Sequence, residues 1–595
     1  MKQLLPYLSK YRWRLILSIV FNLLTALFTI ISIPFIIPFF QILFSVNISE
    51  FNPPASLFDL EAGLSYHFSR LIAISDKTTA LGFVCIVLII IVLCRNLFRY
   101  LSVYFLTPVR NGIVRDIRQQ LVQSFLKMPL RQHRKVSKGE LLSVSSNDVV
   151  EVEWSVIRMM ELLFKSPLLI TGSLLIMFWI NLELSVIALG LMIVIGLIMG
   201  GLSRNLKAKS AKTQSLLGIL NNRVDGLLSG IKMIKAFGAE SFFDQKFSDL
   251  NYDHYKKNNK ILRRRDLASP LSEFLGVTLV VILVWFGAKM VIASEMRPET
   301  FFAFIFAFYN VIEPSKSLST AYYNVQKGLA AMDRIQDTIQ LSSSELLSSG
   351  SKSVPKQWAK ISLSDVSFSY DNQEVLREVN LDIQKGKSMA IVGKSGEGKS
   401  TILNLILRLE DPEHGALMVD NQNVKGIELK EYRSLYSYLS QEPILFEGDV
   451  KENLTFGNDF NDKQIEKALN QSNSDEFLKE KDENTFLSEN GSNYSMGQRQ
   501  RLAIARAIAQ DREILVIDEA TTALDAESEH LVLSALESAM KEKTTIMVSH
   551  RFSLIKNVDV IYVMDGGKIV NSGTHDELVL SDLLYKELLS YQKDL

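Results

Sequence analysis

Cysteine, net charge and internal repetition are what this chain has least of, and each shortage removes a class of protein. Its 2 cysteines, Cys85 and Cys94, lie inside one apolar run. At that separation on a helix they cannot meet. A disulfide is therefore not expected, and they read as small buried hydrophobes rather than a redox or metal pair. Lysine plus arginine number 65 and aspartate plus glutamate 65, so no overall basic field marks a nucleic-acid binder. No segment repeats at a fixed period. From Leu15 to Ser49 no residue is charged. That run is far too long for the core of a cleavable leader, although the basic stretch from Met1 to Arg14 precedes it.

What is present is segregated. A chain of 595 residues is too long for one hydrophobic core. Its apolar share of 47% is ordinary, but the long uncharged runs all lie before about position 320. After about position 355 the sequence reads as a soluble α/β domain. About 20 apolar residues in a helix cross a hydrocarbon core of about 30 Å. Leu15 to Ser49 is the first such span, with Pro34 and Pro38 expected to kink it near its outer end. Thr78 to Cys94 begins the second, and its helical pattern continues past Arg95 and Arg99. Ser166 to Leu182 and Leu184 to Ser203 give the third and fourth, joined by a tight turn at Asn181 and Glu183. Phe274 to Ala288 and the aromatic run Thr300 to Ile312 seed the fifth and sixth, the last ending near Glu313-Pro314.

Basic residues set the orientation. Between the first two spans only Arg70 and Lys77 are basic, whereas Arg95 to Glu140 carries many, among them Arg110, Arg115, Arg131 and Arg134. Arg204 to Asp266 is similar and ends in Arg263-Arg264-Arg265. Both basic segments are expected in the cytoplasm as helical extensions of the spans, with the amino terminus and the soluble domain on the same side. Leu57 to Ile74, in the long first loop, has apolar residues at roughly helical spacing and predicts a short amphipathic helix on the outer surface. The Ser-rich stretch Leu341 to Pro355 reads as a linker.

The chemistry sits in the second half. The apolar strand Ser388 to Val392 leads into Gly393-Lys394-Ser395-Gly396-Glu397-Gly398-Lys399-Ser400-Thr401 and then a helical run. This is G-x-x-x-x-G-K-[ST] in its strand–loop–helix setting. Backbone N–H groups freed by the glycines close around phosphate oxygens, and the helix N-terminus adds its dipole. Lys399 supplies a cation to the phosphates and Ser400 a hydroxyl to Mg²⁺. A second apolar strand, Glu513 to Ile517, ends in Asp518 and Glu519. An acid at the carboxyl end of such a strand can face the phosphate loop. Asp518 is the natural Mg²⁺ partner, and Glu519 is placed to polarise a water. A third strand, Thr544 to Ser549, ends in His550.

These motifs, in this order, resemble the ATP-binding cassette (ABC) family, and the whole chain resembles bacterial exporters in which six spans are fused to one cassette. The resemblance is strongest to the lipid A flippase group. The implied fold is a membrane α-helical domain of the six-span exporter type, 1–335, a linker, 336–357, and an α/β P-loop nucleotide-binding domain, 358–595. Tyr370 matches the family's adenine-stacking aromatic, and Gln441 the glutamine that touches Mg²⁺ and the membrane domain. Tyr494-Ser495-Met496-Gly497-Gln498 matches the signature that caps a partner's γ-phosphate. Ala523-Leu524-Asp525 is similar to the D-loop and His550 to the switch histidine.

The signature departs from the usual Leu-Ser-Gly-Gly-Gln at Tyr494 and Met496, while Ser495, Gly497 and Gln498 remain. Glu397 brings an acid near phosphate, and its side chain is expected to point to water. The resemblance further implies ATP and Mg²⁺ as ligands, and a second half-transporter, either the same chain or a different one. It implies a bacterial cytoplasmic membrane location, with Glu519 and His550 supporting hydrolysis.

Arg95, Lys165 and Lys316 fall at the inner-leaflet level of the spans, and they match positions that bind lipid phosphates in that group. Intramembrane charge is a functional hint by default, against the plain reading that such side chains snorkel to the interface. Acyl chains are expected on Phe301, Phe302, Phe304, Phe306 and Phe308. A multidrug or peptide exporter is the rival within the class. An ATP-regulated channel or regulator is the rival outside it.

Overall fold

The computed structural model describes residues 3–44, 77–343, 347–371, 373–479, 486–519, 526–549 and 551–593. It divides into two compact units, one comprising Met1–Leu121 with Leu142–Gln336, the other Val122–Leu141 with Asp337–Leu595.

Among its described residues the first unit is built of helices. The first span breaks at the first of its two prolines. Helix Arg12–Ile31 ends, and Ile36–Leu43 begins, on either side of Pro34. Across the break the backbone closes tighter i→i−3 bonds, Ile33 N–H to Ile30 O and Ile37 N–H to Pro34 O, both 3.1 Å. These keep the polar groups paired where proline has removed a donor. The second helix runs unbroken from Lys77 to Lys127 through Pro108. Ser166–Ile180 and Leu182–Ser229 are separated by Asn181 alone. Its extended backbone stops one helix, and its side chain accepts the Leu184 N–H at 2.9 Å to cap the next.

Glu240–Ile292 and Pro298–Ser343 complete the set. The last one passes straight through Pro314, against the expected end there. Proline costs a helix one donor, here the one for Asn310 O, and a packed helical bundle tolerates that loss. Next to it Ser315 Oγ donates to Val311 O at 2.7 Å and Ser317 Oγ to Pro314 O at 2.9 Å.

Four helical stretches, Arg12–Leu43, Lys77–Lys127, Lys138–Ile180 and Pro270–Ile292, are long and apolar enough to cross a membrane, and Leu182–Ile198 is apolar but shorter. The Pro298–Ser343 helix joins them through its packing. Phe304, Phe308 and Val311 are buried with Met177, Leu184 and Leu283 in one core. The five phenylalanines expected to meet acyl chains therefore divide. Phe304 and Phe308 are fully buried, whereas Phe302 is 40% exposed and stacks 4.5 Å from Phe40.

The second unit is built on two large sheets, with a small antiparallel pair, β7 (Gly448–Asp449) and β8 (Phe486–Leu487), beside them. Strands β1 (Lys360–Tyr370), β2 (Gln373–Gln384), β4 (His414–Val419) and β5 (Gln422–Asn423) form an antiparallel sheet in the order β2-β1-β4-β5. Strands β3 (Ser388–Gly393), β6 (Tyr436–Leu439), β9 (Ile514–Asp518), β10 (Thr544–Val548), β11 (Val560–Asp565) and β12 (Lys568–Gly573) form the larger sheet, ordered β12-β11-β3-β10-β9-β6. It is parallel except for the β11–β12 pair. β9 and β10 are buried along their whole length, as parallel strands covered on both faces must be. The register aligns Ile391, Val548 and Asp518 across β3, β10 and β9. One row of the sheet thus carries the acid to the mouth of the phosphate loop.

The stretch that reads as a linker is, from Leu347 on, fastened to the cassette. Gly350 N–H reaches Ile427 O at 3.1 Å, and the buried Arg408 guanidinium bonds the Ser348 carbonyl.

Candidate functional site

The phosphate loop leaves β3 at Gly393 and returns as the Lys399–Ile406 helix. Gly396 and Gly398 take φ of 88° and 97°, a left-handed backbone that side chains rarely tolerate, and this curls the loop over the helix N-terminus. Ser395 is exposed on the loop, Ser400 is exposed in the first turn, and Thr401 is buried beneath it. Lys399 is only 6% exposed. Its ammonium donates to Gly393 O at 2.9 Å and Lys394 O at 2.7 Å. Burial lowers its pKa, and the charges of Glu519, Glu397 and Asp518 oppose that shift.

Asp518 ends β9 at 9% exposure. Burial raises its pKa and the Glu519 charge adds to this, against hydrogen bonds from Tyr438 and Ser400 and the Lys399 charge. Tyr438, which no sequence motif singles out, places its hydroxyl 3.4 Å from Asp518 Oδ2, and burial with that neighbour pushes its own pKa up to about 12. Glu519 holds φ at 44°, a strained position for a β-carbon. Its N–H is anchored on Val548 O at 2.9 Å, and its carboxylate accepts from Gln441 Nε2 at 2.8 Å.

Ser400, Gln441 and Asp518 offer hydroxyl, amide and carboxylate oxygens, the hard donors Mg²⁺ prefers. No cluster of three or more His, Cys, Asp or Glu able to hold a metal occurs among the described residues. The set therefore fits an ion that arrives with phosphate ligands of its own. Glu397 does not point to water. Its carboxylate accepts the Gly567 N–H at 3.2 Å, which takes the acid away from the space over the loop.

The signature sits at the start of the Met496–Gln510 helix. Ser495 Oγ accepts the Gln498 N–H at 3.2 Å, and Gln498 Oε1 accepts the Ser495 N–H at 3.0 Å, a reciprocal cap. Gly497 is buried behind them. Tyr494 is 5% exposed and belongs to the core, 5.8 Å edge-on to Phe477. Met496 is half-buried, and its sulfur lies 3.5 Å from Arg499 Nη2. The two departures from the usual signature are thus a core residue and a side chain lying along its own helix.

Basic residues outside the motifs tie the parts of the cassette unit together. Arg506, on the signature helix, donates to Asn453 O at 2.7 Å and to Ile444 O at 3.0 Å, just beyond Gln441. Within the same unit, the early helix Leu130–Lys135 pairs Arg131 with Glu413 at 3.5 Å and Lys135 with Asp371 at 3.3 Å. It also lays the Arg134 guanidinium 4.4 Å over the Tyr370 ring. His550 and Ala523-Leu524-Asp525 lie outside the described residues, as does the segment from Leu57 to Ile74.

In the helical unit, Arg95 and Lys165 open onto one cavity of about 220 Å³, with Arg99, Glu161 and Glu313 on the same wall. Lys316 does not line it. The acids went unremarked in the sequence because Glu161 precedes the third apolar run and Glu313 adjoins a proline taken as a helix end.

A phosphate loop, an acid pair at the end of a neighbouring strand and a signature helix on one α/β domain, joined in one chain to apolar helices, define an ATP-hydrolysing membrane transporter. Comparison with known proteins agrees. The family model described as ABC transporter transmembrane region matches residues 15–314, and the model described as ABC transporter matches residues 376–522. The ATP-dependent lipid A-core flippase of Vibrio vulnificus (strain CMCP6) is 30% identical over 500 residues, 83% of this chain and 85% of that protein. The protein of the same name from Pseudoalteromonas translucida (strain TAC 125) is 32% identical over 513 residues, 85% of this chain and 88% of its own. The chain belongs to the ABC transporter family, and it is a multi-pass membrane ATPase.

Proposed function

We propose that the chain moves a lipid-like amphipathic substrate across a bacterial cytoplasmic membrane as one half of a dimer, with its amino terminus and cassette in the cytoplasm. The observation that carries the substrate reading is the cavity between the membrane helices where Arg95, Arg99 and Lys165 converge. Charged side chains inside a span are costly unless something pairs them, and a phosphorylated headgroup is the matching ligand. The relatives' names point the same way.

In the cassette, Lys399 leaves its two loop carbonyls for the β- and γ-phosphates, and Tyr370 stacks on adenine. Ser400, Gln441 and Asp518 would hold Mg²⁺, which neutralises phosphate charge when bound. Glu519 takes the proton of the attacking water, with His550 supporting it. With Glu519 bonded to Gln441, the base is held back until the glutamine moves. Since Gln441 and the Arg506-held backbone adjoin, and Arg134 rests on Tyr370, nucleotide binding bears on both segments. Ser495, Gly497 and Gln498 face a partner's γ-phosphate, so closure of two cassettes is the two-state element that ATP biases. The partner is a second copy of this chain in the simplest assembly.

The test is lipid stimulation. Arg95→Ala combined with Lys165→Ala is expected to abolish stimulation of ATP hydrolysis by phosphorylated lipids. Stimulation surviving in the double variant would contradict the site and favour a multidrug or peptide exporter.

A further inference from the structure

The wall of the membrane cavity is not purely cationic. Glu313 on the Pro298–Ser343 helix faces the same space as Arg95 and Arg99 from the second helix and Lys165 from the third. Glu161 is bonded by Arg158, Nη1 to its Oε2 at 2.6 Å, while its charge, like that of Glu313, acts across the cavity on Lys165. Neighbouring hydroxyls are turned onto their own backbones, Thr25 Oγ1 to Phe21 O at 2.7 Å and Thr29 Oγ1 to Thr25 O at 2.8 Å. Arg95, Arg99, Lys165 and Glu313 make no hydrogen bond or ion pair among the described residues.

Opposite charges that share a small cavity without pairing are spaced for a ligand between them. Three cations alone would suit a polyanionic headgroup. A carboxylate beside them repels part of that charge and attracts a cation of the ligand's own.

We infer that the cavity takes a zwitterionic headgroup, its phosphate on Arg95, Arg99 and Lys165 and its protonated amine on Glu313. This rests on the lipid reading above and narrows it to lipids that carry phosphate and amine together. Specificity then follows from the difference between two affinities. An amine gains a charge-assisted hydrogen bond at Glu313, and a phosphorylated lipid without one leaves that carboxylate facing only negative charge.

The experiment uses the purified full-length chain in detergent micelles, with half-saturation of ATPase stimulation as the readout. Phosphatidylethanolamine is compared with N-acetylphosphatidylethanolamine, in which the cationic amine is a neutral acetamide and the headgroup keeps only the phosphate charge. The wild type is expected to half-saturate at about tenfold lower phosphatidylethanolamine, the loss of one charge-assisted bond. Glu313→Gln is expected to bring the two lipids together, and Glu313→Lys to reverse their order. Equal half-saturation in the wild type, or an unchanged ratio in Glu313→Gln, overturns the inference. Soluble phosphoethanolamine is the further arm. If it stimulates as well as the lipid does, with the same dependence on Glu313, the zwitterionic site stands and the lipid reading falls. If neither lipid nor soluble headgroup stimulates the wild type, both fall.

Discussion

Replacing Tyr494 separates two explanations of the altered signature. In one the ring touches nucleotide across a dimer. In the other it is a core residue, and the departure from leucine is a matter of packing. The ring is 5% exposed and lies among Leu445, Val450, Leu454 and Leu502, edge-on to Phe477 at 5.8 Å. Tyr494→Leu keeps most of the buried volume and forfeits mainly the ring–ring contact, about 0.5–1.5 kcal/mol. Tyr494→Ala opens a cavity and costs about 3–5 kcal/mol. In a folding unit of this size, about 1 kcal/mol shifts Tm by about 2–4 °C. The leucine variant is therefore expected to melt about 1–6 °C lower and the alanine variant about 6–20 °C lower. Melting is followed without nucleotide, because bound ATP would stabilise the variants unequally. Steady-state ATPase is then measured well below both transitions, where the leucine variant is expected within about twofold of wild type. A drop of tenfold or more in Tyr494→Leu with an unchanged Tm would refute the packing account.

Three further outcomes follow from the cassette. Glu519→Gln removes the base while filling the same space, and is expected to lower turnover by about 10²–10⁴ with ATP binding retained in a nucleotide-binding assay. Asp518→Asn is expected to abolish ATPase yet raise the nucleotide-free Tm at neutral pH. The folded state holds the Asp518 proton more tightly than the unfolded state does, so its ionisation costs stability as pH rises beyond the ordinary carboxylate range. The gain should vanish at a pH low enough to protonate aspartate in both states, and no gain at pH 7 would refute the burial argument. Arg506, whose pKa burial lowers to about 10, holds Ile444 O and Asn453 O. Arg506→Met is expected to leave the buried Asn453 carbonyl unpaired at about 1–3 kcal/mol and to release the exposed Ile444 carbonyl to water. Hydrogen exchange from Gln441 to Phe446 should then quicken, and unchanged exchange would deny Arg506 that role.

Much of the cassette was legible because its chemistry is local. β3 and β9 are short apolar runs that lead directly into the phosphate loop and into Asp518, and the phosphate loop needs its glycines at fixed spacing. What stayed hidden depended on packing between distant segments. Nothing near Arg134 marks it as a partner of Tyr370, and nothing near Arg506 points to Ile444. Tyr494 lies inside the signature yet is a core residue, since a signature motif says nothing of the hydrophobic pocket behind it. In the membrane unit, Pro314 invites a helix end, but the helix runs on through it. Nothing in the residues around Glu313 shows that it lines a cavity, because that depends on the helices packed against it. The phenylalanines of the same helix could not be sorted into core and exposed faces until their neighbours were known.

Vectorial movement tests the central claim most directly. The chain is reconstituted in vesicles with its cassettes outward, and a fluorescent phosphorylated lipid in the outer leaflet is followed by its protection from a membrane-impermeant quencher. ATP is expected to drive the lipid into the inner leaflet in the wild type, and not in Lys399→Ala or Glu519→Gln. ATP hydrolysis by the wild type with no lipid transfer, at a density where every vesicle holds a dimer, would contradict the account.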